Sequence, residues 1–159
     1  MTSNNIVVAP LGPSSSLATA IADIQFSFWG SLTGYQSAAD YERFLHRAAI
    51  SSALPAVLIA CRNDSFIGSV NLLENEMTTR PELSPWMGQL FVLDGERGAG
   101  VGRILIDAAI AYAATLGYRR LHLFTSGTLP QFYGSLGWKP LETIDYLGKL
   151  RTIMAFDTL

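Results

Sequence analysis

The spacing of hydrophobic positions along the chain changes period twice, and each change marks a new set of elements. Residues 4–9 (NNIVVA) form a short apolar run that predicts a first strand, closed by Pro10, Gly12 and Pro13. Leu17, Ile21, Ile24 and Phe28 then recur at helical spacing, with Ser14 to Ser16 available as N-caps and Gly30 and Gly34 as stops. Asp40 opens a second helical pattern carried by Tyr41, Phe44, Leu45 and Ala48. The loop between these helices, Trp29 to Gln36, is rich in aromatic and polar residues and suits the lining of a substrate pocket.

From Pro55 the period shortens. Ala56 to Ala60 and Phe66 to Leu73 flank an Asn63-Asp64 turn signal, and in the second run Phe66, Val70 and Leu72 alternate with Ile67, Ser69 and Asn71. An antiparallel hairpin follows from that pattern. Glu74 to Pro85 is polar and interrupted by Pro81 and Pro85; it leads into a strand that opens at Trp86 and runs through Leu90 to Leu93.

Asp94-Gly95-Glu96 breaks that strand, and Gly98, Gly100 and Gly102 follow at alternate positions between Arg97 and Arg103. Val101, Ile104, Leu105, Ala108, Tyr112 and Leu116 then carry a long helix with Gly117 as its C-terminal cap. Arg119 to Thr125 reads as the next strand, so strand, loop, helix and strand make a parallel right-handed βαβ unit. A short helix, Leu129 to Leu136, is stopped by Gly137, and strands Trp138 to Tyr146 and Lys149 to Phe156 close around Leu147-Gly148.

Composition narrows the class of partner. The 159 residues suit a single domain, 1–159, and 49% hydrophobic with 15% charged residues suits a packed core. A net charge of −2 without a basic cluster argues against nucleic acid. Cys61 is the one cysteine, which excludes a disulfide framework and a cysteine-rich zinc site. No apolar run approaches the roughly 18 residues needed to span a bilayer. No signal-peptide pattern opens the chain, so a cytoplasmic protein off the membrane is expected. His46 and His122 lack a metal-ligand partner at useful spacing, and no metal is expected.

A strand, a glycine-rich loop and a helix N-terminus together cradle an anion, because unpaired amides and the positive end of the helix dipole converge there. Gly102 is followed by Arg103 and Ile104, not by Lys and then Ser or Thr, so the loop is no P-loop. The glycine spacing and the Phe124-Thr125 strand end also fail the dinucleotide pattern.

Coenzyme A pyrophosphate is the remaining candidate, and here a family resemblance enters. Arg97-Gly98-Ala99-Gly100-Val101-Gly102 resembles the R/Q-x-x-G-x-G/A motif of the GNAT superfamily of acyl-CoA N-acyltransferases. LFVLDGERGAGVGRILI resembles that family's fourth strand, loop and third helix, and FYGSLGW (Phe132 to Trp138) its late tyrosine–glycine–aromatic motif. The resemblance implies an α/β (α+β) fold: a mixed, strongly twisted seven-stranded sheet with about four helices and a splayed parallel strand pair that binds acetyl-CoA.

Carried over by position, the main chain of Leu90, Phe91 and Val92 would pair with the pantetheine arm. Arg97, Gly98, Ala99, Gly100, Val101, Gly102 and Arg103 would hold the pyrophosphate, Ser126 would face the cofactor, and the Val92 N–H would meet the oxyanion. Tyr133 falls where the family places its acid; a phenol of pKa about 10 is protonated at neutral pH. Many relatives carry a glutamate on the fourth strand, where this chain has Trp86, Met87, Gly88 and Gln89. Glu74 is therefore the first candidate base, with Glu76 and Glu82 behind it and a water chain as the alternative carrier of the proton. Transfer of acetyl to a primary amine is the expected function, and a catalytically silent acyl-CoA-binding module on the same fold is the alternative. The acceptor would be a small-molecule or peptide amine, and the carboxylates at 74, 76 and 82 would suit a cationic one. The last two strands leave room for a homodimer.

Overall fold

The computed structural model describes residues 5–13 and 16–158, apart from the side chains of Ser31 and Leu32. Asn4, expected at the start of the first strand, and Ser14 and Ser15, expected as caps, lie outside the described residues. The elements run β1 (Ile6–Pro10), α1 (Leu17–Trp29), α2 (Ala38–Ile50), β2 (Ala56–Arg62), β3 (Ser65–Leu73), β4 (Trp86–Val92), α3 (Val101–Thr115), β5 (Arg120–Thr125), α4 (Leu129–Ser135), β6 (Lys139–Tyr146) and β7 (Lys149–Asp157). Short 3-10 turns occupy Gly30–Thr33 and Asp94–Glu96.

Seven strands form one mixed sheet in the order β1-β2-β3-β4-β5-β7-β6. The β1–β2, β2–β3, β5–β7 and β6–β7 pairs are antiparallel. The β4–β5 pair is parallel and confined to one register position, Trp86↔His122. The chain divides into two compact units, residues 1–72 with 89–109 and residues 73–88 with 110–159.

In the first unit, α1 packs on α2 and buries Ala18, Ile21, Ala22 and Gln25. The expected stripe of Leu17, Ile21, Ile24 and Phe28 is only partly inward, since Phe28 is 53% exposed. Ser16 makes no side-chain cap. The second helix begins at Ala38, not Asp40, because the Ser37 hydroxyl accepts from the Asp40 N–H at 3.1 Å. Its expected face, Tyr41, Phe44, Leu45 and Ala48, is buried throughout.

Both turn residues of the β2–β3 hairpin are left-handed, with φ 51° at Asn63 and 69° at Asp64, which suits the twist of paired strands. The alternation expected in β3 does not separate core from solvent, since Ile67 to Leu72 are all buried. Gly68 permits the close approach that encloses this strand: a Cβ there would lie 2.6 Å from the Phe91 carbonyl oxygen and 3.1 Å from Leu105.

The second unit closes around Met77, Trp86, Tyr146 and Ile153, with Leu83, Phe124 and Ile144 packed against them. Each large side chain buried here contributes about 1.5–3 kcal/mol. The polar segment between β3 and β4 lies on this cluster. The Thr78 N–H donates to the Tyr146 hydroxyl at 3.2 Å, the Trp86 indole N–H donates to Leu83 O at 2.7 Å, and Arg80 pairs with Glu142. Long helix α3 buries Val101, Leu105, Ile106, Ala109 and Ala113, whereas Ile104, expected inward, is 38% exposed. Its end is a glycine cap: Gly117 has φ 91°, and the Tyr118 N–H reaches Ala113 O at 3.1 Å. None of the described helices is long and apolar enough to cross a membrane.

Candidate functional site

In the first unit, one edge of β4 faces β3, where the Leu93 N–H donates to Ile67 O at 2.9 Å. Alternation along a strand turns the Val92 polar groups to the other edge. There the Val92 carbonyl accepts from Arg97 Nε at 3.2 Å. The Arg97 guanidinium also pairs with Asp94 at 3.1 Å and sits 5.3 Å from the Phe28 ring centroid. This arginine, expected on the pyrophosphate, is thus folded back along β4.

The turn after β4 is fixed from β2, because Arg62 pairs with Glu96 at 2.9 Å. Gly98 and Gly100 then take φ 82° and 83°, a region that side-chain-bearing residues rarely adopt. No other residue comes within 4 Å of a Cβ built on either one, so the loop face over them is open. The first α3 hydrogen bond runs from the Ile104 N–H to Gly100 O at 3.1 Å. Val101, Gly102 and Arg103 amides therefore precede the helical ladder and carry the positive end of its dipole. Arg103 is exposed, with Nε 4.0 Å from Asp107. An adjoining cleft of about 370 Å³ is lined by Ile24, Ser27, Phe28, Phe91, Leu93 and Asp94.

Gln89 is a non-glycine residue at φ 51°, and its side chain is held on several sides. Its side-chain oxygen accepts from Asn71 Nδ2 and lies 3.2 Å from the Tyr41 hydroxyl, and its Nε2 donates to Thr33 O at 2.9 Å. The Tyr41 hydroxyl also donates to Gln25 Oε1, and Gln25 Nε2 donates to Ser69 Oγ. This buried polar network ties the Trp29–Gln36 loop to β3 and β4. The sequence signal for it is slight: Gln25, Ser69 and Asn71 are polar residues at positions whose neighbours are core.

The second unit carries the candidate acid and the candidate bases. Tyr133 lies in α4, 8% exposed, with its ring edge-on to Trp138 at 6.0 Å. Burial pushes its phenol above the ordinary tyrosine range, so it holds its proton. Ser126 lies just past β5, where its carbonyl accepts from the Leu129 N–H at 3.3 Å. Of the three candidate carboxylates, Glu74 and Glu82 are exposed, and Glu76 is half-buried.

Glu76 fills a space that the sequence leaves on β4. A Cβ at Gly88 would lie 3.0 Å from Glu76 Oε1, so the carboxylate occupies the room a side chain would take there. Burial raises its pKa from 4.5 to about 7. A carboxylate so placed can take a proton at neutral pH. His122 is buried beside Trp86, its ring centroid 5.6 Å away, and its Nδ1 lies 3.0 Å from Pro85 O. Desolvation lowers its pKa, which keeps the imidazole neutral.

Comparison with known proteins now decides the family. The profile of the acetyltransferase (GNAT) family matches residues 19–138, a span that contains both the glycine loop and Tyr133. The chain belongs to the GNAT acetyltransferase family. No curated protein matches the sequence. Solved structures show that this GNAT chain shares its fold with distant members. It resembles an N-acetyltransferase from Staphylococcus aureus Mu50 at TM-score 0.76 and 15% identity, covering 98% of this chain and 100% of that one. It resembles yncA of Salmonella typhimurium, solved with acetyl-CoA, at TM-score 0.74 and 15% identity over 98% and 95% of the two chains. An aminoglycoside 6'-N-acetyltransferase complexed with coenzyme A gives TM-score 0.74 and 14% identity over 96% and 97%.

Proposed function

We propose that residues 1–159 act as one acetyltransferase domain that moves an acetyl group from acetyl-CoA to a primary amine. The observation that carries this reading is the N-terminus of α3. Three amides ahead of its first hydrogen bond sit behind two left-handed glycines, and the loop face is open. Such a site fits a pyrophosphate. Two of the similar structures hold coenzyme A or acetyl-CoA, which supports the same ligand here. In the stretch Leu90, Phe91 and Val92, the polar groups of Leu90 and Val92 would meet the pantetheine arm on the second edge of β4, and Ser126 would adjoin it.

The reaction needs a neutral amine, a stabilised oxyanion and a proton for the departing sulfur. We assign Glu76 as the base, in place of Glu74, because burial against Gly88 sets its affinity for protons near neutrality. The lone pair of the neutral amine forms a bond to the thioester carbon, and Glu76 takes the proton that the nitrogen sheds as that bond forms. The carbonyl pair moves onto oxygen, where the Val92 N–H receives it. Collapse reforms the carbonyl, breaks the C–S bond and sends that pair to sulfur, which Tyr133 protonates. The products are the N-acetyl amine and free CoA.

Gly100→Val tests the cofactor site. A β-branched residue at φ 83° is strained, and its methyls would cover the α3 amides. Calorimetric titration should show CoA affinity lower by about 10²- to 10⁴-fold, the loss of two charge-assisted hydrogen bonds. An unchanged affinity in a variant that still melts cooperatively would remove the cradle.

A further inference from the structure

We propose that Arg151 receives a carboxylate carried by the acceptor amine, on the sheet face where Glu76 takes the proton. This rests on the proposed transfer to an amine and names the class of that amine. Arg151 lies on β7, half-buried, with its guanidinium 5.6 Å from the Phe124 ring centroid. Its Nε is buried and has no hydrogen-bond partner, and among the described residues the side chain makes no ion pair. A guanidinium carries five N–H donors and cannot discharge, so an unpaired one lining a substrate face is a receptor for an anion.

The register places it. Phe124 pairs with Ile153 and Ile144 with Arg151, so Arg151, Ile153, Phe124 and Ile144 share one face. Trp86 belongs to the cluster on this face, and Gly88, two residues on, points the same way. The Glu76 carboxylate lies against Gly88. Glu142, the acid opposite Ile153 on this face, is already engaged by Arg80. Arg151, half-buried, is left without a carboxylate opposite it.

Two strand spacings and an offset of two residues along the strands separate Gly88 from Arg151, so carboxylate and guanidinium stand roughly 12 Å apart. Hydrogen bonds of about 3 Å at each end leave room for a chain of a few carbons between nitrogen and carboxylate. An amine with a carboxylate several bonds away fits this span. Half-buried Phe124, its ring centroid 5.6 Å from the Arg151 guanidinium, would flank the chain.

The probes are 4-aminobutyrate, 5-aminopentanoate and 6-aminohexanoate, each against its primary amide. For at least one length, kcat/KM for acetyl transfer should favour the carboxylate by roughly 10- to 100-fold, the effect of a charge-assisted pair. Arg151→Met should narrow that ratio to about 3 or less, mainly through KM, and Arg151→Lys should restore part of it. Equal rates for acid and amide at every length, or a preference that survives Arg151→Met, would overturn the proposal. Calorimetric titration of the CoA-bound protein with the same probes separates it from the transfer reaction. Carboxylate binding that weakens in Arg151→Met, without turnover, supports the receptor and counts against the transfer. Turnover of the amides with no carboxylate binding supports the transfer and sinks the receptor.

Discussion

Glu76→Gln should lower kcat/KM for amine acetylation by about 10²- to 10⁴-fold near pH 7, the usual contribution of a positioned base, while CoA affinity stays as it was. The pH profile makes the test specific. In the wild-type protein kcat/KM should rise as Glu76 ionises, with a midpoint about 7, and that limb should vanish in the variant. A profile that keeps the limb would move the base elsewhere.

The same carboxyl has a stability signature of opposite sense. Its folded pKa is raised, from 4.5 to about 7, so between those values the native state binds more protons than the unfolded chain. Stability attributable to this group is complete below pH 4.5 and falls as pH rises to about 7. The loss amounts to about 3 kcal/mol at most. Denaturant unfolding at pH 8 should therefore find Glu76→Gln more stable than wild type, although it is far less active. Burying an ionised carboxylate is costly, and retaining one beside Gly88 is what a base poised near neutrality requires.

Tyr133→Phe should reduce kcat by about 10²- to 10⁴-fold with CoA affinity retained. The ring keeps its edge-on packing with Trp138, so the change is confined to the hydroxyl. Because burial raises the phenol pKa, the wild-type rate should show no loss of this acid at neutral or mildly alkaline pH. Single-turnover thiol release measures the step directly, and an unchanged rate would remove Tyr133 as the proton donor.

Much of the architecture was legible because it rests on local signals. The Asn63-Asp64 and Leu147-Gly148 turns, the α2 face and the Gly117 cap follow from residues close in sequence. Strand β4, the glycine loop and α3 likewise announce themselves as one unit. Features decided by distant contacts were not legible. Burial of both faces of β3 depends on Gly68 meeting Phe91 and Leu105.

The base illustrates the same limit. Three carboxylates stand in the segment before β4, and nothing in their spacing ranks them. Glu76 is singled out only by its contact with Gly88, twelve positions on, and by the burial that contact brings. Arg151 is similar: its sequence neighbours mark it as an ordinary strand residue, and only the register, which sets Ile144 opposite it, leaves it without a carboxylate there. The Gln25–Tyr41–Asn71–Gln89 network needed both a tertiary fold and the left-handed backbone at Gln89.

Release of CoA thiol from acetyl-CoA, followed across a panel of primary amines with the acetylated product identified by mass, tests the central claim most directly. Acetyl-CoA-dependent transfer predicts thiol release that requires an amine and matches the N-acetyl product mole for mole. Tight CoA binding with no release for any amine would contradict it and leave a catalytically silent binding module.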